Sequence, residues 1–152
     1  MGIRARVTDA MKLAMKEKDT LGLSTLRLIN AAIKDRDIAA RGEGKGEGVS
    51  DDEILALLAK MVKQRRESAQ VYEEGGRLEL ADKELEEIKT IEVFLPKQLT
   101  EEEVADAIEA AISKLGAESM RDMGRVIGML KSQYAGQMDF GRVGPMVKDR
   151  LG

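Results

Sequence analysis

Apolar residues recur at helical spacing along nearly the whole chain. Ile3, Val7, Ala10, Met11 and Ala14 mark the stripe of a first helix. Leu21, Ser24, Leu28 and Ala31 mark a stripe on the next, which also carries Leu26, Ile29 and Ile33 on a different face. A helix apolar on two faces is expected at the centre of a bundle. Arg41 to Gly48 alternates glycine with charge and predicts a linker over 41–49. Ser50 with Glu53 three residues on is a capping box. The third helix turns Ile54, Leu57, Leu58, Met61, Ser68 and Tyr72 inward and stops at Gly75-Gly76. A fourth, about Leu78 to Phe94, turns Ala81, Leu85, Ile88, Ile91 and Leu95 to one side until Pro96 ends it. Thr100 and Glu103 repeat the capping signal before the stripe Val104, Ile108, Ala111 and Leu115, which Gly116 closes. Two shorter helices are expected near Met120–Gln133 and Arg142–Leu151, with a turn between them holding Gly136, Asp139 and Gly141. Strand-type alternation is absent over any useful length. The pattern therefore predicts an all-α chain: a four-helix unit over 1–95, a hinge at Leu95–Leu99, and a smaller three-helix unit over 96–152.

Composition narrows the chemistry. The 152 residues include no Cys, His or Trp, so thiolate or imidazole zinc sites, histidine-based triads and cysteine nucleophiles are excluded. Charged residues make up 35%, above the usual ~25%, which suits helices with solvated faces. Tyr72, Phe94, Tyr134 and Phe140 are the whole aromatic complement, too few for a platform that stacks single-stranded bases. No apolar run approaches the ~18 residues of a membrane span and no signal-peptide core follows Met1, so no membrane association and a cytoplasmic location are expected. The net charge of −3 is unevenly spread. Residues 1–45 carry 10 basic and 6 acidic side chains, residues 73–115 carry 5 and 13, and residues 116–152 carry 6 and 4. The acidic middle makes nonspecific RNA affinity weak, while a local basic face is left open at the C-terminal end.

Several local features invite a functional reading. The glycine run resembles a phosphate loop only loosely: Ala39 stands where a first glycine is needed, Gly46 follows Lys45 in place of a hydroxyl residue, and no strand precedes it. The acidic clusters Asp51-Asp52-Glu53 and Glu101-Glu102-Glu103 sit in first helical turns, where the helix dipole and capping account for them, so no metal or other cofactor is expected. Arg65 falls inside the apolar stripe of the third helix and is expected to pair with Glu84 or Glu87, and Arg27 is expected to find a comparable partner. Met120, Met123, Met129, Met138 and Met146 read as adaptable core. Gly124 and Gly128 lie four apart on one helix face, which allows close approach of another helix or of a ligand. Arg121, Arg125, Lys131, Arg142 and Lys148 are nearby in sequence, and the functional reading of this segment is a small basic surface that positions RNA phosphates.

Ser24-Thr25-Leu26-Arg27, Lys63 to Ser68, Tyr72 with Gly75-Gly76-Arg77, Leu95 to Glu102 and Arg121 to Gly128 occur in an order and spacing that resembles the YqeY-like proteins of the GatB/YqeY family. These are small stand-alone relatives of the tail of the B subunit of the glutamyl/aspartyl-tRNA amidotransferase, and the similarity covers nearly all 152 residues. The resemblance implies an all-helical chain with a four-helix and a three-helix unit. It also implies a non-catalytic tRNA-binding or accessory module, with tRNA or a tRNA-handling complex as partner. Arg121, Arg125, Lys131 and Arg142 would then contact phosphates, and Gly124 and Gly128 would permit close approach. Where the family reads Gly-Arg-Ala-Asp-Gly, this chain has Gly136-Gln137-Met138-Asp139-Phe140, so that turn lacks its arginine. Two alternatives remain: a protein–protein adapter, and a component of a carbon–nitrogen ligase that uses glutamine as amido donor. Hydrolysing glutamine needs an activated nucleophile with an oxyanion site, and activating a carboxylate with ATP needs a magnesium–phosphate site. The sequence displays no constellation of either kind, and no catalytic residue is assigned.

Overall fold

A computed structural model describes residues 2–44, 46 and 48–152. Lys45 and Glu47 of the glycine-rich segment, including the lysine of the phosphate-loop comparison, lie outside the described residues. Seven α-helices and one short 3-10 turn account for the regular structure, with no strand among the described residues. The chain divides into two compact units, Met1–Leu95 and Pro96–Gly152.

Unit 1 holds α1 (Ile3–Lys16), α2 (Thr20–Gly42), α3 (Asp51–Glu74) and α4 (Leu78–Glu92). Its core is built from Val7 of α1, Ile29 and Ile33 of α2, Ile54 and Leu58 of α3, and Ile88 and Ile91 of α4, closed by Phe94. Fully burying a side chain such as Ile29 stabilises the fold by roughly 1.5–3 kcal/mol. The capping box at α3 forms as the sequence indicates, with Ser50 accepting from the Glu53 N–H. Arg65, inside the apolar stripe of α3, donates from Nε to Glu87 Oε2 at 2.9 Å, so α3 and α4 are tied by a half-buried ion pair.

Three expectations for unit 1 are corrected. Only one face of α2 is buried, that of Gly22, Thr25, Leu26, Ile29, Ile33 and Ala40, while Leu21, Ser24, Leu28 and Ala31 are exposed. The helix therefore flanks the core and does not run through its centre. Arg27 lies on the exposed side and makes no ion pair among the described residues. The glycine-rich segment is also less of a bare linker than its composition suggests. Helix α2 continues through Gly42 because Ala40 packs into the core. At the far end, the Asp37 carboxylate accepts both the Arg4 guanidinium and the Val49 N–H, the latter at 2.9 Å, while Arg4 also donates to the Val49 carbonyl at 2.9 Å. Val49 is thereby held as a buried residue.

Unit 2 holds α5 (Glu101–Leu115), the 3-10 turn Met120–Asp122, α6 (Met123–Gln133) and α7 (Phe140–Leu151). Ile108 and Ala111 of α5, Val126 and Leu130 of α6, and Val143 and Val147 of α7 meet in a second core. Thr100 and Glu103 form the capping box of α5, and Gly116 ends it at φ 63°, a left-handed conformation that glycine adopts without steric cost. Helix α7 starts two residues before Arg142 because Asp139 caps it by accepting from the Gly141 N–H. The turn Gly136-Gln137-Met138 is structural. The Gln137 carbonyl accepts the Leu99 N–H at 2.9 Å, Gly136 accepts from the Gln98 side chain, and Met138 is buried. Pro145 is the sixth residue of α7.

Candidate nucleic-acid interface

The segment Arg121–Lys131 folds as a 3-10 turn that runs into α6. Its apolar residues Met123, Val126, Ile127 and Leu130 recur three and four apart and pack into the unit 2 core. That spacing leaves Gly124, Gly128 and Lys131 together on the outward face, and all three are exposed. A Cβ atom at either glycine would meet nothing within 4 Å. The close helix packing that two glycines four apart suggest does not occur on this face of unit 2. The glycines cover no neighbouring helix, and the α6 backbone is laid bare between flanking cations.

The basic residues of the segment differ in how they are held. Arg121 is exposed at the 3-10 turn and makes no ion pair among the described residues. Arg125 donates from Nη1 to Asp122 Oδ1 at 3.0 Å and from Nη2 to the Leu115 carbonyl at 3.4 Å, so it closes the C-terminal end of α5. Asp122 is held below its ordinary value of 3.8, chiefly by the Glu118 N–H that it accepts; burial opposes this, and Arg125 adds to the lowering. Lys131 sits with Nζ 5.9 Å from the centre of the Phe140 ring, a cation–π contact that leaves the ammonium in solvent. Phe140 itself is half-buried and packs against the core, so it is not an exposed aromatic. Arg142, at the start of α7, reaches Glu101 at 3.8 Å, and both side chains are largely solvated. Lys148 is exposed in the last turn of α7.

The arrangement thus brings Gly124, Gly128 and Lys131 onto one face, sets Arg121 at its N-terminal edge, and commits Arg125 to a local structural contact. Arg142 belongs to a different helix and is loosely paired. Sequence reading missed the Lys131–Phe140 contact, for which a cation nine residues before an aromatic across a turn is too common a pattern to be diagnostic. No group of three acidic side chains among the described residues is arranged to hold a metal ion. No helix among them is long and apolar enough to cross a membrane.

Comparison with known proteins gives a consistent result. The family described as Yqey-like protein matches residues 4–151. The mitochondrial protein named Altered inheritance of mitochondria protein 41 is similar to this chain in several organisms. In Kluyveromyces lactis it is 30% identical over 132 residues, covering 85% of this chain and 69% of that protein. In Lachancea thermotolerans the identity is 30% over 114 residues, 75% of this chain and 58% of that protein. In Vanderwaltozyma polyspora it is 32% over 85 residues, 56% of this chain and 44% of that protein.

Proposed function

The chain belongs to the Yqey-like protein family, and from that premise we propose that it is a non-catalytic module that binds tRNA, alone or within a tRNA-handling complex, through the outward face of α6. The observation that carries this reading is the glycine pair, which covers no neighbouring helix and leaves the backbone open. A phosphate–ribose strand can approach a helix at Gly124 and Gly128 more closely than at any residue with a side chain. Arg121 and Lys131, exposed at the two ends of that opening, supply the cations that position phosphates. Arg142 contributes a third cation, from α7, when it releases Glu101, a weak and solvated contact at 3.8 Å. Arg125 acts indirectly by keeping the α5–α6 junction in place. A chain of net charge −3 binds RNA weakly by charge alone, so recognition rests on the shape of a folded RNA against this face. Amide transfer, in this reading, belongs to whatever enzyme the module accompanies.

The test is binding of unfractionated tRNA over a salt series, with the full chain and with Arg121→Ala combined with Lys131→Ala. We expect salt-sensitive binding whose logarithmic slope falls by about one per phosphate contact removed, roughly two for the pair. Absence of salt-sensitive binding, or a slope that the pair leaves unchanged, overturns the proposal.

A further inference from the structure

The outward side of α2 carries a pattern that the bundle does not use. Opposite its buried face, Leu21, Ser24, Leu28, Ala31 and Ile38 follow a three-and-four spacing, the seam spacing of helices that pair. The seam is open to solvent: Leu21 is 38% exposed, Leu28 47% and Ile38 66%. Small residues at 24 and 31 alternate with leucines at 21 and 28, leaving recesses between the larger side chains. Arg27, Lys34 and Arg41 stand seven residues apart, the first two immediately before the seam positions Leu28 and Asp35 and the third before Gly42, where the seam period ends, and form one charged flank with a rise of about 10 Å between successive cations. All three are exposed, and none makes an ion pair among the described residues. Arg41 is near enough for its field to help lower Asp37, which is already occupied by Arg4 and Val49. Asp35 takes the seam position between Ala31 and Ile38.

We infer that this face of α2 docks an acidic amphipathic helix of a partner protein. Charge complementarity selects that occupant. A heptad row of cations beside an apolar seam matches a helix whose own flank carries Glu or Asp at the same period. Asp35 sets the register, because it requires a polar or cationic residue opposite it. A polyanion satisfies only half of the surface: it would pair with Arg27, Lys34 and Arg41 but leave Leu21, Leu28 and Ile38 against a charged backbone. A second copy of the chain fits worse, since the same face turned antiparallel on itself would align cation with cation. This surface belongs to unit 1 and is independent of the α6 face in unit 2.

The probe is a pair of labelled three-heptad peptides with leucine along the seam except for asparagine at the position that faces Asp35, one with glutamate at the flanking positions and one with lysine. Binding to the full chain is read by fluorescence anisotropy. The acidic peptide should bind about tenfold tighter than the basic one, as three exposed ion pairs allow. The triple variant Arg27→Glu, Lys34→Glu and Arg41→Glu should reverse that preference. Leu28→Ser should weaken binding of the acidic peptide several-fold. Because these residues are exposed, an unchanged helical circular dichroism spectrum and melting curve establish that each variant is folded, and Arg27→Gln with Lys34→Gln serves as a milder substitute if the reversal does not fold. Failure of both peptides to bind, equal binding of the two, or a preference unmoved by the charge variants overturns the proposal. So does concentration-dependent self-association that Leu28→Ser abolishes, or binding of tRNA or phosphatidylserine vesicles that the charge variants alone remove.

Discussion

Unit 1 sets Gly48 at φ 83° against the Asp37 side chain, so that the absent side chain is the space the carboxylate occupies. Unit 2 sets Gly124 and Gly128 on ordinary helix with nothing within 4 Å of where a side chain would stand. The first glycine is explained by the fold. The other two are not, and in a helix they cost stability that an alanine would recover. The charged residues divide in a similar way. In unit 1, Arg4, Arg6 and Arg65 reach Asp37, the Val93 carbonyl and Glu87, each tying one helix to another part of the unit. In unit 2 Arg125 and Arg150 are likewise tied, to Asp122 and Glu109, whereas Arg121 and the ammonium of Lys131 are left in solvent, as Arg27, Lys34 and Arg41 are in unit 1. A residue that the fold has no use for is the better pointer to an external contact, and the contrast can be broken or sharpened by substitution.

The largest effect is expected at Gly48. Alanine there combines the strain of a left-handed backbone with overlap on the Asp37 carboxylate, and it disrupts the clasp that holds Arg4 and Val49. Destabilisation by about 2–3 kcal/mol follows, read as a lower urea midpoint. A midpoint unchanged by Gly48→Ala would remove the distinction drawn between the two kinds of glycine.

A smaller effect is expected from titrating the same clasp. The Val49 N–H is the largest influence holding Asp37 below its ordinary value of 3.8, and Arg4 adds to it against an opposing contribution from burial. A carboxylate depressed in the folded state contributes stability that is complete above its unfolded value and lost as pH falls through its folded one. Unit 1 should therefore weaken on acidification below about pH 4. Asp37→Asn should make that decline shallower and cost about 1 kcal/mol at neutral pH. A decline equally steep in Asp37→Asn would show that other carboxylates carry the acid sensitivity.

What could be read beforehand from the residues follows a physical rule. Helices and caps are local, so Ser50 with Glu53 and Thr100 with Glu103 announced their capping boxes, and Arg65 inside an apolar stripe pointed to Glu84 or Glu87, of which the fold selects Glu87. The Asp37 clasp joins α1, the end of α2 and the segment after it, and nothing in the local pattern around Asp37 signals so distant a set of partners. The two apolar faces of α2 were both visible, but periodicity does not say which one the rest of the chain will cover. The same blindness applied to Gly124 and Gly128. Their spacing fits close packing as well as an open face, and only the absence of a neighbour within unit 2 separates the two.

The smallest change in stability is also the most informative. Gly128 lies in the interior of α6, where replacement by alanine removes the entropic cost of glycine and introduces no clash. Gly128→Ala should stabilise the protein by about 0.5–1 kcal/mol, seen as a raised melting temperature. If tRNA approaches the backbone there, the added methyl group holds the strand away and affinity falls even as the fold becomes more stable. Stability and binding moving in opposite directions is an outcome that a merely structural glycine cannot produce. A more stable variant that binds tRNA as well as the parent would remove the α6 face from consideration and leave Gly128 without a role in contact.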